Sequence, residues 1–191
     1  MGRWGQIKIS IYFDIHLKSR KEGMIPGGIM HKRMELKLRG RVLYRPNEAE
    51  IQRKENMWRL KLPLDYRQFL KEYNGGVPEK SEFKGIHSNR TYMVETFLSI
   101  IKVEDYDEFG DYDIDVIHTQ LDERLSANGD LVGYDMVPIA QIFAGDYVCL
   151  DYRESSDHPC VCVWSHEESG EFDPVTYKIA DSFTQFIEML F

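Results

Sequence analysis

The densest group of potential metal ligands in this 191-residue chain is Asp157, His158, Cys160, Cys162 and His166. Structural zinc sites usually space paired ligands about two to four residues apart, whereas one residue separates the two cysteines. In a strand both thiols would point to the same side of a sheet, which explains their spacing without a metal. We therefore expect no metal and no cofactor. A metal- or thiol-dependent enzyme built on these residues is the least favoured alternative.

Catalysis by a thiol or by paired carboxylates finds little support. A cysteine nucleophile needs a cationic neighbour or a helix N-terminus, yet residues 104–191 hold three Lys/Arg against 21 Asp/Glu. General acid and base catalysis needs two carboxyls held in different environments inside a cleft. A continuous acidic run, such as Glu104–Asp113, is instead typical of a solvated face. We predict no catalytic residues and no enzymatic activity.

The carboxylates favour recognition of a positively charged protein. The net charge is −8, but residues 104–191 carry −18 and residues 1–45 carry +8. Such a concentration of negative charge repels phosphate backbones and anionic lipid and attracts cationic partners. The alternative contact face is the Arg153–His158 turn together with Glu167 and Glu168. The candidate partner-binding residues are Asp105, Asp107, Glu108, Asp111, Asp113, Asp115, Glu154, Asp157, Glu167 and Glu168.

Composition places the chain among cytosolic globular proteins. Hydrophobic residues make up 42% and charged residues 29% of the sequence, which suffices for one core. No run of about 18 uncharged apolar residues occurs, so we expect no membrane partner. The three cysteines, an odd number, favour free thiols in a reducing compartment over a disulfide framework. We also expect no direct contact with nucleic acid.

The first 33 residues differ from the rest of the chain. Apolar side chains alternate with mostly polar ones from Ile7 to Leu17, a pattern that predicts one strand, and residues 19–28 have the composition of a linker. Two internal methionines, Met30 and Met34, precede the first ordinary domain signals. We expect residues 1–33 to be an appendage or a translated leader, and residues 34–191 to form a single domain.

Local signals then predict two helices. A short strand between Glu35 and Tyr44 precedes Asn47 and Glu50, whose spacing is that of a capping box. A second helix begins near Pro63, and its apolar stripe consists of Tyr66, Phe69, Leu70 and Tyr73. Residues 74–76, Asn-Gly-Gly, end that helix because they adopt left-handed backbone geometry at low cost.

The second half predicts a mostly antiparallel sheet. A strand is expected within Thr91–Ile101, and residues 104–113 are expected to form a solvated loop or a short helical turn. A helix over residues 113–126, closed by Asn128 and Gly129, separates this strand from four more. Those four are expected at Met136–Ala140, Tyr147–Tyr152, Cys160–Ser165 and Val175–Ile179, followed by a last helix that Asp181 caps. The fold class is α+β, with an N-terminal helix pair, an antiparallel sheet with an inserted helix, and a C-terminal helix.

Five segments in this order resemble the successive motifs of the SUKH superfamily, the Smi/Knr-type domains. They are Leu62–Gly76, Val137–Ala140, Gly145–Asp151, Val163–Glu167 and Ala180–Phe186. The resemblance covers residues 46–190. One departure from the family pattern is Ile142-Phe143-Ala144. It replaces a more polar turn that commonly precedes the Gly-Asp pair, here Gly145 and Asp146.

The resemblance implies a non-enzymatic α+β domain whose shared motif residues, Pro63, Gly75, Gly76 and Asp181, are mainly structural. Bacterial members of the superfamily look like immunity proteins that neutralise polymorphic or contact-dependent toxins, often nucleases, in the cytosol. Fungal members look like regulatory scaffolds in cell-wall synthesis. The leading hypothesis is therefore a cytoplasmic, monomeric immunity protein that occludes the active site of a cationic toxin, a basic nuclease. A regulatory interaction module is the alternative.

Overall fold

The computed structural model describes residues 36–40, 44–86 and 90–191. The prediction for residues 1–33 lies outside them. The helices are α1 (Glu48–Trp58), α2 (Leu64–Glu72), α3 (Tyr106–Phe109), α4 (Ile114–Leu125) and α5 (Phe183–Glu188). The strands are β1 (Leu38–Arg39), β2 (Val77–Pro78), β3 (Glu82–Lys84), β4 (Thr91–Phe97), β5 (Met136–Ile142), β6 (Tyr147–Asp151), β7 (Cys160–Trp164) and β8 (Thr176–Ala180). The predicted α+β class is confirmed.

The first two helices begin and end where local signals place them. The Asn47 side chain accepts a hydrogen bond from the Glu50 amide at 3.1 Å, and the Glu50 carboxylate accepts one from the Asn47 amide at 2.9 Å. This reciprocal pair is the predicted capping box. Helix α2 starts directly after Pro63, and Asn74, Gly75 and Gly76 all have positive φ. The predicted left-handed stop is therefore confirmed.

The sheet has six strands in the order β3-β4-β5-β6-β7-β8, with every neighbouring pair antiparallel. Strand β6 is buried along its whole length, and β5 and β7 nearly so. Such strands appear in sequence as short apolar runs, which is why all three were predicted. The short strands β2 and β3 were not predicted, since two or three residues show no periodicity.

The core forms where α2 and α5 pack together against one face of the sheet. Phe69 of α2 lies 5.1 Å from both Phe97 and Phe183, measured between ring centroids. Tyr66 meets Phe183 edge to face at 5.0 Å. Burial of these rings supplies the main driving force for holding both helices on the sheet.

Two predicted helix boundaries are wrong. Ser182, not Asp181, caps α5, and its hydroxyl accepts a hydrogen bond from the Gln185 amide at 3.2 Å. Asp181 lies one residue too early and instead pairs with Lys178 at 2.6 Å. Helix α4 ends at Leu125, because Ser126 already has extended backbone geometry. The first error arises because two capping residue types are adjacent at Asp181 and Ser182. The second is a shift of one residue at the end of the helix.

Within the described part of the chain, no helix combines the length and the apolar character that crossing a bilayer requires.

Candidate functional site

The acidic run folds into three consecutive short turns, here called the acidic turns (residues 103–112). They are a 3-10 turn over Val103–Asp105, helix α3, and a second 3-10 turn over Gly110–Tyr112. The side chains of Asp107, Glu108 and Asp111 are exposed, and Asp105 is half-buried. The predicted short helical turn is confirmed. The backbone of the acidic turns therefore holds several carboxylates toward solvent in a defined arrangement.

Asp113 does not share this exposure. It is completely buried, and one carboxylate oxygen accepts hydrogen bonds from the amides of Asp115 (2.9 Å) and Val116 (3.2 Å). The other oxygen accepts one from the Ile101 amide at 2.8 Å. Burial raises the pKa of the Asp113 carboxyl, although these donors oppose the shift. Asp113 caps α4 and attaches it to the segment after β4, so its inclusion among the partner contacts is corrected.

Asp115 is also engaged within the protein. Its carboxylate accepts hydrogen bonds from the Trp58 indole at 2.5 Å and the Tyr134 hydroxyl at 3.3 Å, and it forms an ion pair with Lys54. Its side chain is only 18% exposed. These bonds join α4 to α1 across more than 50 residues of sequence. Asp115 therefore has a structural role, and its part in partner binding stays a prediction.

A column of stacked rings lies beside Asp115. Tyr134 stacks on Trp58 with ring centroids 5.7 Å apart and on His118 with centroids 3.3 Å apart. Burial lowers the pKa of His118 to about 4, although the carboxylates of Asp122 and Asp115 oppose this shift. His118 is thus a neutral core residue near pH 7. Sequence reasoning missed it, but its position four residues after Ile114 on the buried face of α4 is a detectable signal.

The neutral state of His118 predicts a loss of stability in acid. Above pH 6.5 the ring is neutral in both states, whereas between pH 6.5 and 4 the unfolded chain binds a proton that the folded protein does not. The free energy of unfolding should therefore fall as the pH drops through this window, by about 3 kcal/mol in total. Urea unfolding at pH 7, 5.5 and 4.5 measures the decline. His118→Phe keeps a stacking ring without a titrating group, and equal pH slopes in both proteins would contradict the prediction.

Glu167 and Glu168 lie at the other end of α4, in the loop between β7 and β8. Arg124 in the last turn of α4 donates hydrogen bonds to the carbonyl oxygens of His166 and Ser169, the latter at 2.7 Å. The Trp164 indole donates to the Arg124 carbonyl at 2.9 Å. Both glutamates are exposed. Since α4 has 12 residues, about 18 Å of helix separates this loop from the acidic turns.

Glu154 and Asp157 form a third group. Both are exposed in the turn between β6 and β7, next to the ion pair of Asp151 with Arg153 at 2.6 Å. This turn lies at the opposite end of β6 and β7 from Glu167 and Glu168. The structure therefore does not bring the predicted contact residues together in one face.

Two further exposed carboxylates, Asp122 and Glu123, were missed. They lie on the outer face of α4, and the Glu123 carbonyl accepts a hydrogen bond from the Phe172 amide at 2.6 Å. The exposed side chains of Glu171 and Asp173 flank Phe172. The helical period of α4 indicates which of its positions are exposed. The contact between Glu123 and the loop that carries Phe172 has no local signal in the sequence.

The potential metal ligands are dispersed. His158 lies before β7 and His166 lies after it, so the strand separates them. Among the described residues, no three His, Cys, Asp or Glu side chains converge in a way that could hold a metal ion. Cys149 and Cys162 are buried opposite each other in β6 and β7, and burial raises the pKa of both thiols. The thiolate that a nucleophile requires is therefore disfavoured.

Comparison with known proteins decides the family. The SUKH_6 family model, described as SMI1-KNR4 cell-wall, matches residues 48–187, a range that extends from the start of α1 into α5. The chain belongs to the SUKH family. It is also 30% identical over 129 residues to the SPbeta prophage-derived uncharacterized protein YokK of Bacillus subtilis (strain 168). The match covers 66% of this chain and spans 65% of the relative's length.

The SUKH motif residues of this chain have mainly structural positions. The Asn74 amide group donates to the Ile100 carbonyl and accepts from the Ile100 amide, both at 2.9 Å. In the Gly-Asp motif, Asp146 accepts a hydrogen bond from the His166 amide at 2.8 Å. SUKH domains are generally non-enzymatic immunity or interaction domains. These motif residues therefore build the fold.

Proposed function

We propose that this chain is an immunity protein that binds a positively charged toxin domain, a nuclease, and occludes its active site. It acts in the cytosol as a monomer and catalyses no reaction. Membership of the SUKH family supports the class of function. The observation that carries the proposal is the exposure of Asp107, Glu108 and Asp111 on consecutive ordered turns.

The charge of the acidic turns remains directed at solvent. Ion pairs among the described residues engage other carboxylates, including those of Glu55, Asp115 and Asp151. A nuclease must carry Lys and Arg in its groove because it holds phosphates. Exposed carboxylates match that groove electrostatically and can pair with arginine through two hydrogen bonds. Tyr106 and Phe109, both half-buried, lie between the carboxylates and add apolar contact area.

The partner can be identified by co-expression. Toxin domains encoded at the same locus are expressed with this chain, and the proposal expects one of them to co-purify with it and to lose toxicity. That domain, in a catalytically inactive variant, is the probe for every binding experiment below. If no toxin domain of the locus binds or is neutralised, the proposed function fails.

Neutralising the acidic turns should slow association. For Asp107→Asn, Glu108→Gln and Asp111→Asn combined, we expect the association rate at low salt to fall about tenfold and to depend less on salt. Dissociation should change much less. Stopped-flow kinetics at several salt concentrations measures both rates.

The matched control combines Glu154→Gln, Asp157→Asn and Glu188→Gln, which removes the same charge outside the acidic turns. It should associate at close to the wild-type rate. An unchanged low-salt rate in the acidic-turn variant would refute the placement. A larger loss in the control would move the contact surface to the turn between β6 and β7.

A regulatory interaction module is the second candidate, because the matching family model carries a cell-wall description. Gene neighbourhood distinguishes the two functions. A toxin gene directly upstream supports immunity, whereas a neighbourhood of cell-wall genes without a toxin supports regulation.

A further inference from the structure

An exposed apolar patch lies where β4 and β5 meet at one end of the sheet. Phe143 is 67% exposed and Met93 42% exposed. Tyr177 of β8, 46% exposed, lies close enough to Tyr92 and Arg90 to interact electrostatically with both. Phe143 and Met93 line a groove of about 350 Å³, together with Arg90, Thr91 and Tyr92. An exposed cluster of large apolar side chains beside a groove is typical of a protein contact site. Phe143 also belongs to the segment in which this chain departs from the SUKH motif.

The turn that carries Phe143, here called the Phe143 turn (residues 143–145), is held rigidly. The Ile142 amide donates to the Asp146 carbonyl at 3.0 Å, and the His166 amide donates to the Asp146 carboxylate at 2.8 Å. Arg90 lies 3.7 Å from the same carboxylate. These contacts fix the backbone that carries the exposed ring before any partner arrives, which lowers the entropy cost of binding.

Carboxylates surround the apolar patch. Glu95 shares the outward face of β4 with Met93, two residues away, and is exposed. Glu167 follows His166, whose ring lies beside Gly145, and Glu168 accepts a hydrogen bond from the Tyr177 hydroxyl at 2.6 Å. The cation of the groove, Arg90, lies over the Tyr92 ring at 4.9 Å and beside Asp146, so its charge is compensated. On the adjacent strand β3, exposed Glu82 lies opposite Met93 and exposed Lys84 lies opposite Thr91. Carboxylates therefore outnumber the cations around the patch, and its net charge is negative.

We propose that the Phe143 turn and its groove bind an apolar side chain of the toxin domain that lysine or arginine residues flank. The inference rests on the proposed function and adds a second contact, distinct from the acidic turns. Charge complementarity selects this occupant, because the rim carries Glu95, Glu167 and Glu168. A second copy of the chain fits poorly, since a twofold contact would place these carboxylates against one another.

The test compares Phe143→Ser with Phe191→Ser, which removes a similarly exposed phenylalanine at the end of the chain. The probe is the toxin domain that co-purifies with the wild-type protein. An anchoring aromatic residue acts mainly on dissociation, so Phe143→Ser should dissociate about 10–100-fold faster with little change in association rate. Phe191→Ser should behave like the wild type. Circular dichroism checks that both variants fold.

The outcomes separate the two proposals. If the wild type binds the toxin domain and Phe143→Ser dissociates no faster than Phe191→Ser, the Phe143 inference is wrong and the proposed function stands. If the wild type sediments as a dimer that Phe143→Ser converts to a monomer, the groove holds a second copy, which overturns the inference. If the wild type binds no toxin domain, both proposals fail together.

Discussion

Asp113→Ala is expected to lower the free energy of unfolding by about 3–5 kcal/mol, since three backbone amides lose their acceptor. Two of these amides belong to the first turn of α4, and the third is that of buried Ile101. Asp113→Asn keeps one acceptor oxygen, so its NH₂ group must face either the Ile101 amide or the amides of the first turn of α4. It should therefore lose about half as much stability. Urea unfolding followed by tryptophan fluorescence measures all three proteins.

The control is Asp111→Ala, two residues earlier in the same acidic segment. Its side chain is exposed, so its removal should change stability by no more than about 0.5 kcal/mol. Equal losses for Asp113→Ala and Asp111→Ala would contradict the structural role of Asp113. This comparison also matters for function, because an Asp113 variant that fails to bind a partner has lost structure rather than a contact.

Gly75→Ala is expected to destabilise the protein by about 3 kcal/mol, because both the backbone and the space around Gly75 exclude a side chain. Gly75 has a φ of 88°, a left-handed conformation that L-residues rarely adopt. An added Cβ would lie 2.2 Å from the Ser99 Oγ and 2.8 Å from the Phe97 carbonyl oxygen. Moving Ser99 would also break its hydrogen bond to the Asn74 carbonyl. Thermal and urea unfolding measure the loss.

Gly110→Ala is the matched control for this glycine. Gly110 has an ordinary helical conformation, and an added Cβ would find the Tyr106 Cβ at 3.8 Å, a normal contact. The substitution should be neutral or slightly stabilising, because alanine loses less backbone entropy on folding. If Gly75→Ala were as stable as Gly110→Ala, the close approach of residues 74–76 to β4 would be refuted.

Sequence reasoning located the elements whose signals are local. The capping box of α1, the stop after α2 and the central strands all depend on residues a few positions apart. It failed where two equivalent caps were adjacent, as at Asp181 and Ser182, and where strands were as short as β3. Sequence reasoning also predicted that the carboxylates of the acidic run are solvated, and three of them are exposed: Asp107, Glu108 and Asp111.

The sequence by itself determined two properties of this protein. Its charge distribution showed that the second half is acidic, and the order of its motifs indicated a SUKH domain. Tertiary structure alone decided what each carboxylate does. Asp111, Asp113 and Asp115 have the same side chain at alternate positions, yet the first faces solvent, the second caps α4 and the third binds Lys54 and Trp58. The physical reason is that the burial and hydrogen bonding of a charge depend on partners that folding brings from distant parts of the chain, which no local pattern encodes.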